Sequence, residues 1–230
     1  MEMSSFTWRE YWVTEKCKLA ARLNAGEAGG TYAEAVLVVC AALSALSAEL
    51  WSGPRIDRVR FIEMLARHGP NPSDNTIVSV PLLIQHLERS SRHSEALQLR
   101  NTFGVPDTAL VVTGPKVDTS EDHILALLPQ LDLKEVRQFS YASLLYREVR
   151  SSYVHDYRPG KQADSWPMTV LADQRISYIN RIADDMKMQR LVHFHFEWLA
   201  QLAIQMASST DKTATTSPRP RPQVWWADGG

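Results

Sequence analysis

The chain has 230 residues, enough for one generous core or two small ones, and a formal net charge of −1. That balance excludes a molecule that attracts polyanions as a whole, so any nucleic-acid contact needs a local basic patch. Two cysteines, Cys17 and Cys40, lack metal-ligand spacing, which fits free thiols in a cytoplasmic protein better than a disulfide framework.

The N-terminal MEMSSFTWREYW is acidic and aromatic from the outset, unlike a signal peptide. Residues 6–24 place Phe6, Trp8, Tyr11, Trp12, Leu19 and Leu23 at mixed three- and four-residue spacing. This predicts a first helix, ended by NAGEAGG. The glycine-rich GEAGGTY that overlaps that break lacks the lysine of a phosphate loop and reads as a turn. Thr31 caps a second helix, whose apolar run AVLVVCAALSALSAEL covers residues 35–50. The run is about four residues short of the roughly 20 that span a bilayer. Ser44 and Ser47 interrupt it, and Glu34 and Glu49 flank it as boundary charges, so a buried core helix and no membrane contact are expected.

RIDRVRFIEMLARHG predicts an amphipathic helix stopped by Gly69, and Pro81 starts or kinks a helix within TIVSVPLLIQHLERSSRHSEALQLR. Residues 102–122 read as loop, with a short helix at 121–129. DLKEVRQFSYASLLYREVRSSYVHDY predicts one long helix, opened by Asp132 and Glu135 in a capping-box pattern. Its buried stripe is Val136, Phe139, Ser140, Ala142/Ser143, Tyr146 and Val149. RPGKQADSWP reads as loop, MTVLADQRISYIN as a two-stranded hairpin around ADQ, and MKMQRLVHFHFEWLAQLAIQMA as the last helix, with Asp184 and Asp185 solvated before it. Trp8, Trp12, Trp51 and Trp198 are expected in the core. From Ser208 the polar, then Pro- and Arg-rich stretch ending in SPRPRPQVWW predicts a mobile tail with a sticky end. The expected fold is all-α: a helical bundle over residues 1–207 with a small β-hairpin embellishment, then a flexible tail over 208–230.

Arginine followed five positions later by histidine occurs twice, as Arg150/His155 and Arg190/His195. With 18 arginines and seven histidines, chance supplies roughly 0.5 such pairs. The second pair encloses Leu191, Val192 and Phe194, so it reads as structural, on a core-facing helix that would put His193 and His195 on different faces. The first encloses Ser151, Ser152 and Tyr153, and Tyr157 follows His155 by two residues at the end of a helix, where it meets a Pro-Gly loop. An arginine and a histidine there can equally serve as C-terminal caps that complement the helix dipole.

REVRSSYVHDY resembles the signature of the HEPN superfamily, R-x(4–6)-H in an all-helical core. It resembles most the R-x-x-x-x-H-x-Y form typical of HEPN toxins paired with small nucleotidyltransferase antitoxins. Arg150, His155 and Tyr157 match that form, while Ser151 stands where the family usually has Asn, Asp or His. The resemblance implies a homodimeric, metal-independent endoribonuclease of toxin–antitoxin or antiviral stress defence, needing no cofactor. Five residues carry an α-helix about 140° past a full turn and about 7.5 Å along its axis. Arg150 and His155 therefore converge only if the helix ends between them or a second subunit supplies the partner. Histidine would exchange protons with the ribose 2′-OH and the leaving 5′-oxygen, and arginine would hold the phosphorane, leaving a 2′,3′-cyclic phosphate. Arg147, Arg158 and Lys161 would line the RNA groove. By the same resemblance, a partner nucleotidyltransferase could attach AMP to Tyr157. Ser151 also leaves open a HEPN-like dimer that binds RNA or nucleotide without cutting, and the cap reading leaves open a helical interaction protein.

Overall fold

The computed structural model describes residues 8–69, 71–107, 109–165, 175–182, 188–213 and 219–230. Helices α1 (Trp8–Asn24), α2 (Tyr32–Leu50) and α3 (Asp57–Arg67) precede the short α4 (Pro72–Thr76), then α5 (Val80–Arg89) and α6 (His93–Phe103). Strand β1 (Val111–Thr113) leads into α7 (Gly114–Val117), α8 (Glu121–Leu127) and α9 (Leu133–Arg137). A three-part helix follows: α10 (Tyr141–Leu144), a π-helical stretch Leu145–Ser151, and α11 (Ser152–Asp156). Strands β2 (Ile176–Ile182) and β3 (Met188–Phe194), helix α12 (Phe196–Thr213) and a 3₁₀ turn at Trp226–Asp228 complete the order. The protein is thus predominantly helical, with a small three-stranded antiparallel sheet. It divides into two units, residues 1–72 with 196–228, and residues 73–195.

In the first unit, α2 packs against α1, α3 and α12. Thr31 and Glu34 form a full capping box at its start. By length and apolar composition α2 is the one described helix that would suit a membrane, yet half of that window is buried inside the protein. Val36, Val39, Leu43 and Leu46 are buried there with Cys40, a free thiol like Cys17. Of the four tryptophans expected inside, Trp51 is buried while Trp8 is 74% exposed, and Trp12 and Trp198 are half-buried.

The end of the expected mobile tail is anchored. The Arg219 amide donates to the Leu50 carbonyl at 2.7 Å, and the Trp51 indole N–H donates to the Pro220 carbonyl at 3.2 Å. Trp225 meets Trp51 edge to face, and buried Trp226 donates its amide to Glu63 Oε2 at 2.7 Å. Burial, then the charges of Arg219 and Arg67, hold the His68 imidazole down to about 4, so His68 Nδ1 accepts from Arg219 at 2.7 Å. Two aromatic side chains fasten a segment whose average composition is polar.

The second unit combines α5 and α6 with the sheet, ordered β1-β2-β3, α5 lying on β3. Ser79 caps α5 and Pro81 stands in its first turn, so the proline starts a helix rather than kinking one. The long helix expected from Asp132 is interrupted. Asp132 caps α9, but Glu135 turns to His86 and Arg92 instead of closing a capping box. The chain turns at Gln138–Ser140, where the Ser140 hydroxyl accepts from the Ser143 amide and opens a new helix.

The expected hairpin is displaced. Its first half, MTVL, lies outside the described residues, as do Asp184 and Asp185. Its second half, ISYIN, is β2, and β2 pairs with a stretch expected to be helical, Met188–Phe194. Residues 190–194 are buried on both faces, so the alternation that marks a half-exposed strand is missing.

One buried cluster ties this unit together. The hydroxyls of Tyr141, which opens α10, and Tyr178, on β2, each donate to Asp118 Oδ2 at 2.6 Å. Asp118 Oδ1 accepts from the Val80 amide at the start of α5. Burial pushes the Asp118 carboxyl up to about 7, outweighing three hydrogen bonds that pull it down.

Candidate functional site

Helix α10 begins inside the core, with residues 141–145 all buried. Its backbone then widens to π-helical geometry over Leu145–Ser151 and tightens again into α11. Such widened turns within α-helices recur at functional sites because the extra residue re-aims side chains. Arg150 lies in the widened stretch and His155 in the last α-turn, so the helix does not end between them. It ends at Tyr157, whose amide donates to the Tyr153 carbonyl at 3.1 Å. Tyr157 itself has φ 53° and ψ 31°, a left-handed conformation that glycine ordinarily takes at this position. For a side chain this size the strain is about 1–2 kcal/mol.

The matched side chains emerge at the surface. The Arg150 guanidinium carbon lies 5.3 Å from the centroid of the Tyr146 ring, within cation–π range. Ser151 is half-buried, His155 is exposed, and Tyr157 is 57% exposed. More than half of the Tyr157 surface is therefore open to solvent.

Arg147, expected among the groove cations, has its guanidinium engaged within the protein. Its Nε donates to Glu148 Oε1 at 2.6 Å, and its two Nη atoms donate to the Gln138 carbonyl and to Gln162 Oε1. The guanidinium also lies over the Phe139 ring at 5.8 Å. This arginine secures the loop after the helix.

Glu148, 4% exposed, is a partner that sequence reasoning missed. Its carbonyl accepts from the Gly160 amide at 2.7 Å, and its Oε2 accepts from the Gln162 amide at 3.0 Å. The loop is thereby held against the widened turn. Beyond it, Gln162 and Asp164 pair with Val192 and cover the outer edge of β3. A Cβ at Gly160 would overlap the Glu148 carboxylate and come within 2.9 Å of Glu148 Cα. Gly160→Ala should destabilise the second unit by roughly 1–3 kcal/mol, because backbone is displaced as well as a side chain. Denaturant unfolding measures this; a variant as stable as the parent would show that the loop is not clasped in this way.

Arg158 and Lys161, both exposed, line a cleft of about 660 Å³ between α11, the loop and the ends of β2 and β3. Arg150 and His155 are not part of its lining.

Of the second pair, Arg190 stands on β3 and His195 directly follows its end; the chain stays extended there, and the rings of His193 and His195 meet with centroids 5.1 Å apart. Arg190 donates to the carbonyls of Pro106 and Ala109 at 2.8 and 3.0 Å. His195 is 1% exposed, bonds Ser177 Oγ through Nε2 at 2.8 Å, and leaves Nδ1 buried without a hydrogen-bond partner among the described residues. Burial, then the neighbouring His193, hold its imidazole down to about 4. Both residues are in the core, and Ser177, fully buried, is no accessible nucleophile. Among the described residues, no three His, Cys, Asp or Glu side chains gather as a metal site.

Comparison with family models, curated proteins and solved structures finds no match to this chain.

Proposed function

We propose that the protein is an endoribonuclease of HEPN type, cutting RNA without metal assistance in toxin–antitoxin or antiviral stress defence. One observation carries the reading. A helix rooted in the core passes through a widened turn and delivers Arg150, His155 and Tyr157, in the R-x-x-x-x-H-x-Y pattern, to the surface of its last turns. The strained Tyr157 supports it, since such backbone conformations concentrate at functional sites.

In this reading His155 exchanges protons with the ribose 2′-OH and the 5′-oxygen. Arg150 holds the non-bridging oxygens as charge builds on phosphorus. One His155 cannot be base and acid at once, so two copies of the chain meet across a two-fold axis and each contributes an arginine and a histidine. Tyr157, at the rim, is the hydroxyl that a nucleotidyltransferase partner would modify with AMP. The added negative charge would then compete with RNA for the arginines.

The test is cleavage of single-stranded RNA by the full chain in excess chelator, with products analysed for a 2′,3′-cyclic phosphate. Cleavage that persists in chelator and leaves the cyclic end is expected. No cleavage, or cleavage abolished by chelation, overturns the assignment. Light scattering on the same sample should give the mass of a dimer. A stable monomer that still cuts would sink the composite site.

A further inference from the structure

We propose that the cleft behind the motif helix is a binding site for a phosphorylated nucleoside, distinct from Arg150 and His155. The inference stands whether or not those two residues cut RNA.

Three cations from two separate places in the chain line this one concavity. Arg158 and Lys161 lie on the loop that follows the helix end, and Arg181 comes from β2. Among the described residues, none of their charged groups has an ion pair or a hydrogen bond. Among the described residues these cations therefore hold no part of the fold by side-chain pairing, in a chain whose net charge is −1. Like charges brought together in a concave surface repel one another, and an anion relieves that repulsion. Arginine and lysine together suit a phosphate, one offering a planar fork and the other a point charge.

The rest of the lining selects more than a bare anion. Pro159, Ile182 and Leu191 contribute apolar surface suited to a base or sugar face. Ser152, Gln189 and Asp156 supply polar groups. The Asp156 carboxylate, which would repel inorganic phosphate, can accept from ribose hydroxyls or an exocyclic amine. Gln189 Nε2 donates to the Lys161 carbonyl at 2.9 Å and joins the loop to β3 across the floor. A volume of about 660 Å³ falls in the range for a small organic ligand and is far too small for a duplex.

The same chemistry comes from a free nucleotide or from one unit of a single-stranded chain. Binding of fluorescent AMP, ATP and a short 2′-O-methyl oligonucleotide to the full chain, by anisotropy, separates the two sources. The parent, Lys161→Ala, Arg181→Ala and His155→Ala are compared, and thermal melts verify that each is folded. Saturable binding of AMP or ATP, weakened about tenfold or more by either cleft substitution and unchanged in His155→Ala, establishes a free-nucleotide site. The same pattern with the oligonucleotide alone establishes a site for a unit of the chain. Absence of binding by all three probes, or binding that both cleft variants retain, overturns the proposal.

Discussion

His155→Ala is expected to lower RNA cleavage roughly 10²–10⁴-fold, the usual effect of removing a positioned proton-transfer group. The substitution removes an exposed ring from the last helical turn, so folding should survive it. Arg150→Ala should lower the rate by a similar factor through lost phosphorane stabilisation. It also removes the contact with the Tyr146 ring, so a thermal melt must accompany the rate. His195→Ala is the control with opposite signature. It deletes a buried ring and its bond to Ser177, and should cost roughly 1–3 kcal/mol of stability while sparing the chemistry. Single-turnover rates on a labelled RNA distinguish the two. A dispensable His155 beside an essential His195 would move the site into the sheet and reject the proposed assignment.

The second large effect is a pH dependence of unusual sign. Asp118, half-buried and outside the candidate site, has a carboxyl raised from 3.8 to about 7 in the folded protein. Between those values the folded chain holds a proton that the unfolded chain has lost. Its stabilising share is therefore complete below about pH 4 and is lost as pH rises through 7, for a total of roughly 4 kcal/mol. His68 and His195 act the other way, since their lowered values remove stability as pH falls below 6.5 toward 4. The parent curve mixes these opposing trends, so the informative quantity is the difference from Asp118→Asn. Asparagine keeps the shape and cannot ionise. Between pH 5 and 8 the stability of Asp118→Asn relative to the parent should rise by roughly 2–3 kcal/mol. A difference that stays flat across that range would show that Asp118 does not titrate there.

Legibility in the sequence followed how completely a pattern was local. Helix α2 could be read from its apolar run, and α9 from Asp132, because composition and capping act within a few residues. The break at Ser140 could not: Ser140 falls on the apolar stripe, and the turn before it is held by remote backbone pairing, Ser79 to the Phe139 carbonyl and Tyr141 to the Ile77 carbonyl. Strand β3 was hidden because it runs into α12 with only His195 between them. Its buried residues 190–194 show no polar–apolar alternation. Val192 and Phe194 were the available strand-favouring signal. Arg150, His155 and Tyr157 were legible as a motif, but the roles of Arg147 and Glu148 depend on a loop folding back from Gly160. The tail was misread because average polarity conceals two anchoring tryptophans.

The widened turn has a consequence for how spacing should be understood in this chain. A helical wheel assigns His155 a compass bearing by adding about 100° per residue from Arg150. That addition fails where the backbone holds an extra residue within one turn. Deleting a single residue from Leu145–Ser151 would let the stretch relax to ordinary α-geometry. Everything downstream would swing by about 100°, carrying His155 round the axis and moving Ser152 and Asp156 off the cleft. The same motif grafted onto an ideal straight helix would keep every letter and lose its aim. Length variants here should behave as rotations of a dial, while substitutions on the exposed flank behave as changes of a single pointer.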